Sequence, residues 1–166
     1  DISVPIYSET GTFKNSYNFK IFSELYENNV STASLMLSSS ISLNDEDIKL
    51  SERLFIPGSK LRGFERGKVG PKDGSDFIGG NYLTAFNLTT SIPKLLENSQ
   101  TIDFVAFFDA ANVWGVDYDK ALEDKSDIRS SIGLGLNWLT PIGPLSFSYA
   151  EPISRVDTDI IERFRF

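Results

Sequence analysis

The sequence predicts an all-β fold, an antiparallel transmembrane β-barrel. Three features support this prediction: apolar residues recur at every second position, small polar residues occupy the positions between them, and short connections alternate with long polar ones. Alternation with a period of two places the apolar side chains on one face of a strand. A membrane-spanning barrel needs an apolar outer face, a polar interior, short turns at one rim and longer loops at the other.

The composition of the 166-residue chain excludes several classes of function. It contains no cysteine and no histidine, so disulfides, thiolate nucleophiles and Ser-His-Asp triads are impossible. Its 23 acidic and 16 basic residues give a net charge of −7, which is unfavourable for contacts with nucleic-acid phosphates. No apolar run reaches the roughly 20 residues of a membrane helix, and the N-terminus lacks the pattern of a signal peptide. We expect no enzymatic activity, no cofactor, no metal and no nucleic-acid partner.

Strands are predicted wherever the alternation is sustained. In the clearest case Leu35, Leu37 and Ile41 share one parity, and the serines between them share the other. A helix would place apolar residues three and four apart, and no segment does so over three turns. In chain order, the apolar faces of the clearest strands carry Tyr17, Phe19 and Ile21; Leu35, Leu37 and Ile41; Tyr82, Phe86 and Leu88; Ile132, Leu134 and Trp138; and Leu145, Phe147 and Tyr149. The eight predicted strands lie at 2–7, 15–27, 31–44, 79–92, 101–114, 128–139, 144–153 and 160–166.

The polar face and the aromatic residues favour a barrel over a soluble β-sandwich, which also alternates. Serine, asparagine and glycine would make a poor dry core, because each buried hydroxyl or amide needs a partner. They suit a water-filled lumen. Aromatic residues near strand ends are typical of the interfacial girdles of a barrel, and we assign five to them: Tyr17, Tyr82, Trp114, Trp138 and Tyr149. A sandwich that binds a partner is the soluble alternative.

The connections differ in length and chemistry. Residues 139–144 contain two prolines and a glycine and suit a tight turn, whereas residues 115–127 form a longer acidic loop. The connection at 55–78 is 24 residues long and rich in glycine, and Leu61 and Phe64 flank Arg62. Unstructured connections of this length are uncommon and usually functional or disordered. The flanking apolar residues predict a loop that docks.

Four motifs resemble the BamA family of outer-membrane protein assembly factors, and they occur in the family's order. Leu61-Arg62-Gly63-Phe64 is similar to the Val/Ile-Arg-Gly-Phe motif of the family's sixth extracellular loop, with leucine in the first position. Gly79-Gly80-Asn81 resembles the start of the strand after that loop. Residues 107–114 resemble the family's Phe-Phe-x-Asp-x-x-x-Val-Trp strand, with one residue fewer before the aspartate. Residues 127–150 resemble the family's next two strands and the turn between them.

The resemblance implies a partner for the loop arginine, Arg62. In the family this arginine reaches into the barrel and pairs with an aspartate and an aromatic residue of the inner wall, which here are Asp109 and Phe107. The parity of the strand agrees, because Asp109 and Phe107 share one face and apolar residues occupy the other. A carboxylate that faced lipid would be costly, so it should face inward and seek a cation. The simplest alternative is that Arg62 is a solvated loop charge.

Other patterns are weaker. Residues 63–69 look like a phosphate-binding loop, but only three residues separate the glycines and the Ser or Thr is missing. The acidic loop at 115–127 lacks the ligand spacing of a calcium loop. The carboxylates at 45–47 fit a solvated turn between strands.

The resemblance implies that residues 1–166 are the C-terminal part of an outer-membrane bacterial surface-antigen-type β-barrel domain, with 55–78 as an inward-docking extracellular loop. About eight of an expected sixteen strands are then present, and we expect a fragment or a truncation. The last strand would carry a targeting signal with Phe164 and Phe166.

The function that the resemblance implies is the insertion of β-barrel proteins into the bacterial outer membrane, by strand pairing at a lateral seam. The implied partners are unfolded outer-membrane proteins, the lipid bilayer and assembly-machine lipoproteins, the last through periplasmic domains that this sequence does not contain. A related polypeptide-secretion transporter, of the two-partner secretion or autotransporter-assembly type, is the alternative within the membrane.

Overall fold

The computed structural model of the chain describes residues 2–3, 11–44, 46–93, 101–117, 119, 122 and 127–166. It confirms the all-β, antiparallel fold. Among the described residues there is no helix of the length and hydropathy that crossing a membrane requires. The strands are β1 (Ile2–Ser3), β2 (Thr12–Ser23), β3 (Ser31–Ser42), β4 (Gly63–Phe64), β5 (Lys72–Asp73), β6 (Asp76–Phe77), β7 (Tyr82–Ile92), β8 (Ile102–Trp114), β9 (Arg129–Thr140), β10 (Gly143–Ser154), β11 (Ile161–Glu162) and β12 (Phe164–Arg165), and a 3₁₀ turn covers Leu50–Glu52.

The long strands, with the short strands β1 and β12 at the two edges, form one antiparallel sheet in the order β1-β2-β3-β7-β8-β9-β10-β12. Long strands that follow one another along the chain are neighbours, and the short strands β4, β5, β6 and β11 lie outside this sheet. The register is continuous over long stretches, since Tyr82 opposes Trp114 at one end of β7 and Ile92 opposes Phe104 at the other. In the described part of the chain β1 and β12 are the edges and do not pair with each other, so the sheet is an open wall.

One face of this wall is apolar and exposed. Many of the side chains predicted to face outward are more than half exposed, including Ile21 (71 %), Leu134 (61 %) and Phe19 (57 %). A continuous apolar face of this kind is unfavourable in water, whereas lipid accepts it. The alternation in the sequence therefore corresponds to the outer face of a membrane barrel.

The connection between β3 and β7, residues 43–81, covers the opposite face of the wall and is called the central loop below. Its apolar residues Ile56, Leu61, Phe64 and Val69 pack against the inner side of β7 and β8. The wall contributes Leu83, Ala85, Ala111 and Val113 to the same cluster. The core therefore lies between the wall and the loop, and the inner face, which we expected to line a water-filled lumen, is largely buried where the loop covers it.

The start of β7 differs from the prediction. A strand was expected from Gly79, but β7 begins at Tyr82. Gly79 has a φ of +66°, a conformation that interrupts a strand, and Gly80 forms an isolated bridge with Leu54. The glycines end the central loop and do not belong to the wall.

The strand expected at 160–166 is divided in two. Ile161–Glu162 pairs with Gly63–Phe64 of the central loop, and only Phe164–Arg165 pairs with β10. The limits of the other predicted strands shift by no more than four residues. Of the strand expected at 2–7, only residues 2–3 are described, and the connection at 94–100 lies outside the described residues.

The aromatic residues assigned to the membrane rims fall into two groups. Tyr82 and Trp114 oppose each other at the loop end of β7 and β8, with ring centroids 5.9 Å apart, and Trp138 lies near the other end of the wall, on β9. Tyr17 and Tyr149, however, lie in the middle of β2 and β10. Their assignment to a rim is wrong, because alternation determines the face of a residue and not its height along the strand.

Gly133 on β9 makes room for the ring of Phe107, which opposes it on β8. A Cβ atom at this position would lie 2.4 Å from the Phe107 ring and 2.2 Å from the carbonyl oxygen of Tyr149. We expect Gly133→Ala to lower the free energy of unfolding by about 1–3 kcal/mol, as overpacking does. The urea concentration at which the heat-modifiable, folded gel band disappears measures the effect.

Gly135→Ala is the matched control on the same strand and face. A Cβ atom there would meet mainly a methyl group of Val105, at 2.8 Å, and a side-chain rotation can relieve that contact. Equal urea midpoints for the two variants would contradict the interpretation of Gly133.

Candidate functional site

A row of polar side chains crosses the inner face of the wall. Ser34 on β3, Asn87 on β7, Asp109 on β8 and Ser131 on β9 oppose one another in turn. All four are buried, and they are called the polar row below. Opposed residues of antiparallel strands point to the same face of a sheet, so the row extends across four strands and offers hydrogen-bonding groups to whatever covers it.

Arg62 of the central loop binds Asp109 at the centre of the polar row. Its Nε donates to Asp109 Oδ2 (2.7 Å) and its Nη2 donates to Oδ1 (2.8 Å), which makes a bidentate ion pair. The backbone N–H of Arg62 also donates to Oδ2 (3.1 Å), and Asn87 Nδ2 donates to Oδ1 (2.8 Å). The Asp109 side chain is 0 % exposed, so these four hydrogen bonds replace its contacts with water. Bidentate, charge-assisted bonds of this kind are among the strongest in proteins.

The guanidinium group of Arg62 also lies over an aromatic ring. Its Cζ atom is 3.3 Å from the centroid of the Phe107 ring, which is a cation–π contact. Phe107 is 3 % exposed, and Gly133 beside it leaves the space for the ring. The wall therefore binds the Arg62 guanidinium group in two ways. The Phe107 ring lies against its face, and the Asp109 carboxylate accepts hydrogen bonds from its N–H groups.

Other members of the polar row bind the backbone of the loop. Ser131 Oγ donates to the Arg62 carbonyl (2.5 Å), and Asn87 Nδ2 donates to the Lys60 carbonyl (2.9 Å). Lys60 Nζ donates to Ser34 Oγ (3.3 Å). Burial and the positive charge of Lys20 lower the pKa of Lys60 below its ordinary value, and Asp109 partly opposes this change. Two loop residues, Lys60 and Arg62, thus bind all four members of the polar row.

Gly63 allows the loop to approach the wall this closely. It has a φ of +90°, and a Cβ atom there would lie 3.1 Å from the Cβ of Ala150 on β10. Leu61 and Phe64, on either side, are 2 % and 1 % exposed. The loop motif therefore alternates between side chains that enter the core and groups that bind the polar row.

The remaining residues that the sequence singled out lie in other places. Gly80 exchanges backbone hydrogen bonds with Leu54, and the Asn81 N–H donates to the Gly115 carbonyl (2.9 Å), so this motif closes the base of the central loop. Phe164 stacks on Phe147 of β10, with ring centroids 6.4 Å apart. Phe166 is 91 % exposed.

A second buried ion pair was not predicted. Arg129 of β9 donates from Nε to Asp159 Oδ2 (3.0 Å) and from Nη2 to Oδ1 (3.2 Å), and its Nη1 donates to Asn112 Oδ1 (2.7 Å). Both charged side chains are almost completely buried. The pair attaches the connection after β10 to the wall. The only signal of this pair in the sequence was a charged residue, Arg129, in a strand that otherwise consists of uncharged residues. That signal did not identify Asp159 as the partner.

A third pair joins the central loop to the connection after β8. Arg53 is hydrogen-bonded to Asp117, and the Ile48 N–H donates to the same carboxylate (3.0 Å). Burial alone would raise the pKa of Asp117. Hydrogen bonds from Ile48 and Asn81 and the charge of Arg53 outweigh burial, and they lower the pKa below its ordinary value.

Comparison with known proteins identifies the architecture. The sequence matches the Omp85 superfamily domain over residues 2–166. The chain belongs to the Omp85 superfamily. The chain superimposes on the crystal structure of BamA from Haemophilus ducreyi lacking POTRA domains 1–3, with a TM-score of 0.83 and 30 % sequence identity. The superposition covers 92 % of this chain and 34 % of the BamA chain. This Omp85 chain is therefore part of an outer-membrane barrel wall.

Relatives of this Omp85 chain occur in bacteria and in a fungus. It is 27 % identical to outer membrane protein assembly factor BamA of Neisseria meningitidis over 81 % of its length, and 27 % identical to BamA of Nitratidesulfovibrio vulgaris over 90 %. It is 31 % identical to a SAM50-like protein of Schizosaccharomyces pombe over 80 % of its length. The chain spans 30 %, 21 % and 19 % of the SAM50-like, Neisseria and Nitratidesulfovibrio proteins, respectively.

Arg62→Ala is expected to undock the central loop, because it leaves the buried Asp109 carboxylate without its cation. Loss of one partner of a buried pair costs about 3–5 kcal/mol. Protease cleavage within residues 55–78 of the natural protein in its membrane should become much faster. Arg66→Ala is the matched control, since Arg66 lies in the same loop and is exposed. Equal cleavage of both variants would contradict the docking role.

The Arg53–Asp117 pair is expected to make docking sensitive to acid. Since the pKa of Asp117 is lowered in the folded state, its stabilising contribution is present above the ordinary carboxylate pKa of about 3.9 and is lost as the pH falls through the lower, folded value. Deuterium exchange at residues 46–53 should therefore increase below about pH 4. In Asp117→Asn this increase should be smaller, and an identical profile would exclude the pair as its cause.

Proposed function

We propose that this chain forms the barrel portion of an insertase that folds β-barrel proteins and inserts them into the outer membrane. The observation that carries the proposal is the wall with the central loop docked on its inner face, since the chain superimposes on BamA of Haemophilus ducreyi with a TM-score of 0.83. In the described sheet β12 is an edge strand, and it pairs with β10 at Ser148–Arg165 and Tyr149–Phe164. The names of the bacterial relatives, outer membrane protein assembly factors, support the same function.

The outward edge of β12 in the described sheet is defined by its hydrogen bonds. The Ala150 N–H donates to the Arg163 carbonyl (2.8 Å), and hydrogen-bonded and non-bonded pairs alternate along an antiparallel ladder. Arg165 therefore bonds to β10, and the N–H and C=O of Phe164 point away from it. A client strand would pair at these groups by β-augmentation, because exposed backbone groups in lipid need partners.

The bilayer also takes part in the proposed mechanism. β9 and β10 have 12 residues each, which reach about 29 Å across the membrane at a tilt of about 45°. A bilayer next to an apolar wall shorter than itself becomes thinner to match it, and a thinner bilayer lowers the barrier to insertion of a client.

The partners in this mechanism are unfolded outer-membrane β-barrel proteins and the bilayer itself. Assembly-machine lipoproteins would bind through periplasmic domains that lie outside this sequence. The mechanism has no bond-breaking step and uses no cofactor, since strand pairing and lipid matching supply the free energy. The docked loop keeps the wall in one shape while the edge takes part in pairing.

Phe164→Pro tests this function in the natural full-length protein, reconstituted in liposomes with a urea-unfolded client barrel. Proline removes the outward N–H of Phe164 and leaves the bond between Arg165 and Ser148 intact. We expect the wild type to insert the client, which a heat-modifiable gel shift of the client reports, and Phe164→Pro to insert it at least about tenfold more slowly, the equivalent of 1.4 kcal/mol.

Phe164→Leu is the matched control, because it keeps the N–H and an apolar side chain. It should insert the client at nearly the wild-type rate. Insertion by Phe164→Pro at the wild-type rate would reject pairing at this edge. A wild type that exports the client across the bilayer instead of inserting it would reject the insertase function.

A further inference from the structure

The connection that follows β10 pairs with the central loop directly after Arg62. The two residues of β11 oppose the two residues of β4, Ile161 with Phe64 and Glu162 with Gly63. The pairing continues past these strands, since the Glu65 N–H donates to the Ile160 carbonyl (2.8 Å) and the Ile160 N–H donates to the Lys68 carbonyl (3.1 Å). Residues 156–162 are called the brace below. The brace therefore binds the loop through its backbone.

This pairing supplies hydrogen bonds that the loop backbone needs. Gly63 and Phe64 are buried, and a buried backbone N–H or C=O without a partner is strongly unfavourable. Hydrogen-bonded pairs alternate along an antiparallel ladder, so the bond between Glu65 and Ile160 makes Gly63 and Glu162 the next bonded pair. Docking of the residues that follow Arg62 therefore depends on the brace.

A single buried carboxylate fixes the first turn of the brace. Asp159 Oδ2 accepts hydrogen bonds from the Val156 N–H (2.9 Å) and from Arg129 Nε (3.0 Å), and Oδ1 accepts one from Arg129 Nη2 (3.2 Å). The Asp159 N–H donates to the Val156 carbonyl (3.0 Å), which closes the turn. The next residue, Ile160, makes the first hydrogen bonds to the loop. Asp159 therefore joins β9 to the point at which the brace meets the loop.

The wall in turn fixes Arg129. Its Nη1 donates to Asn112 Oδ1 on β8 (2.7 Å) and to the Asp127 carbonyl (2.9 Å), and its side chain is 3 % exposed. Ser131, two residues later on the same face of β9, binds the Arg62 carbonyl. One strand, β9, thus holds the brace through Arg129 and the loop through Ser131.

We propose that Arg129 and Asp159 are positioning residues for the docked central loop. Their ion pair holds the brace against β9, and the brace holds the loop backbone that follows Arg62, so the Arg62–Asp109 pair stays in place. The two buried ion pairs therefore stabilise each other through the paired backbones of β4 and β11. This role goes beyond the insertase function proposed above, because it concerns the docking of the loop and needs no client.

Deuterium exchange in the natural full-length protein in its membrane tests this role. Asp159→Asn leaves the buried Arg129 without its anion, so the amides at residues 63–68 should exchange at least about tenfold faster. Asp157→Asn is the matched control, since Asp157 lies in the same turn and is exposed, and it should exchange as the wild type does. The amides of β2 and β3 are the internal reference and should not change. Equal exchange in the two variants, or an equal increase in β2 and β3, would overturn the proposal.

Arg129→Lys provides the test if Asp159→Asn yields no heat-modifiable folded band. Lysine keeps the positive charge but loses the planar fork that binds Asp159 and Asn112 together. Exchange at residues 63–68 should still increase, by at least about threefold. Arg155→Lys is its control, because Arg155 lies next to the brace and is exposed. Wild-type exchange in Arg129→Lys would overturn the proposal.

A coupling between the two ion pairs is reciprocal, which a merely structural pair at the end of β9 would not be. Arg62→Ala should therefore increase exchange of the Ile160 amide by at least about fivefold. The double variant Arg62→Ala with Asp159→Asn should be cleaved within residues 55–78 no faster than Arg62→Ala alone, because its loop is already undocked. An unchanged Ile160 amide in Arg62→Ala, or cleavage rates that multiply in the double variant, would show that the pairs act independently and would overturn the proposal.

Discussion

The buried carboxylate of Asp109 is the constraint on which the rest of the structure depends. It lies in the middle of the wall with no exposed surface, where an uncompensated charge would be strongly destabilising. Arg62 and Asn87 supply its hydrogen bonds, so the wall requires the loop as much as the loop requires the wall. The polar row extends the same dependence to three further strands, and the docked loop becomes part of the barrel's interior.

The central loop resolves a conflict between the two faces of the sheet. The outer face is apolar and needs lipid, whereas the inner face carries hydroxyl and amide groups that need hydrogen bonds. The loop supplies backbone carbonyls to Asn87 and Ser131 and, in the same few residues, the apolar side chains of Leu61 and Phe64 for the core. One segment meets both requirements, because its backbone carbonyls bind the polar side chains of the wall while its apolar side chains pack in the core.

Alternation along the sequence was enough to predict the strands and the faces of their residues, since both depend on local geometry. The position of a residue along its strand, and so its distance from the membrane rims, was not predictable in the same way. Tyr17 and Tyr149 were expected at strand ends and lie in the middle of their strands. The partner of Arg129 and the division of the last strand depend on contacts between segments that are distant in sequence.

The loop's contacts also constrain the order in which the chain can fold. Arg62 binds a carboxylate 47 residues later and a serine hydroxyl 69 residues later, and the Gly58 carbonyl receives Arg165, 107 residues later. Contacts of such long sequence separation form slowly, because the intervening chain must first be brought together. A chain delivered from its N-terminus would therefore carry an undocked loop until β8 and β9 arrive. Arg165 is the last of these three partners to arrive.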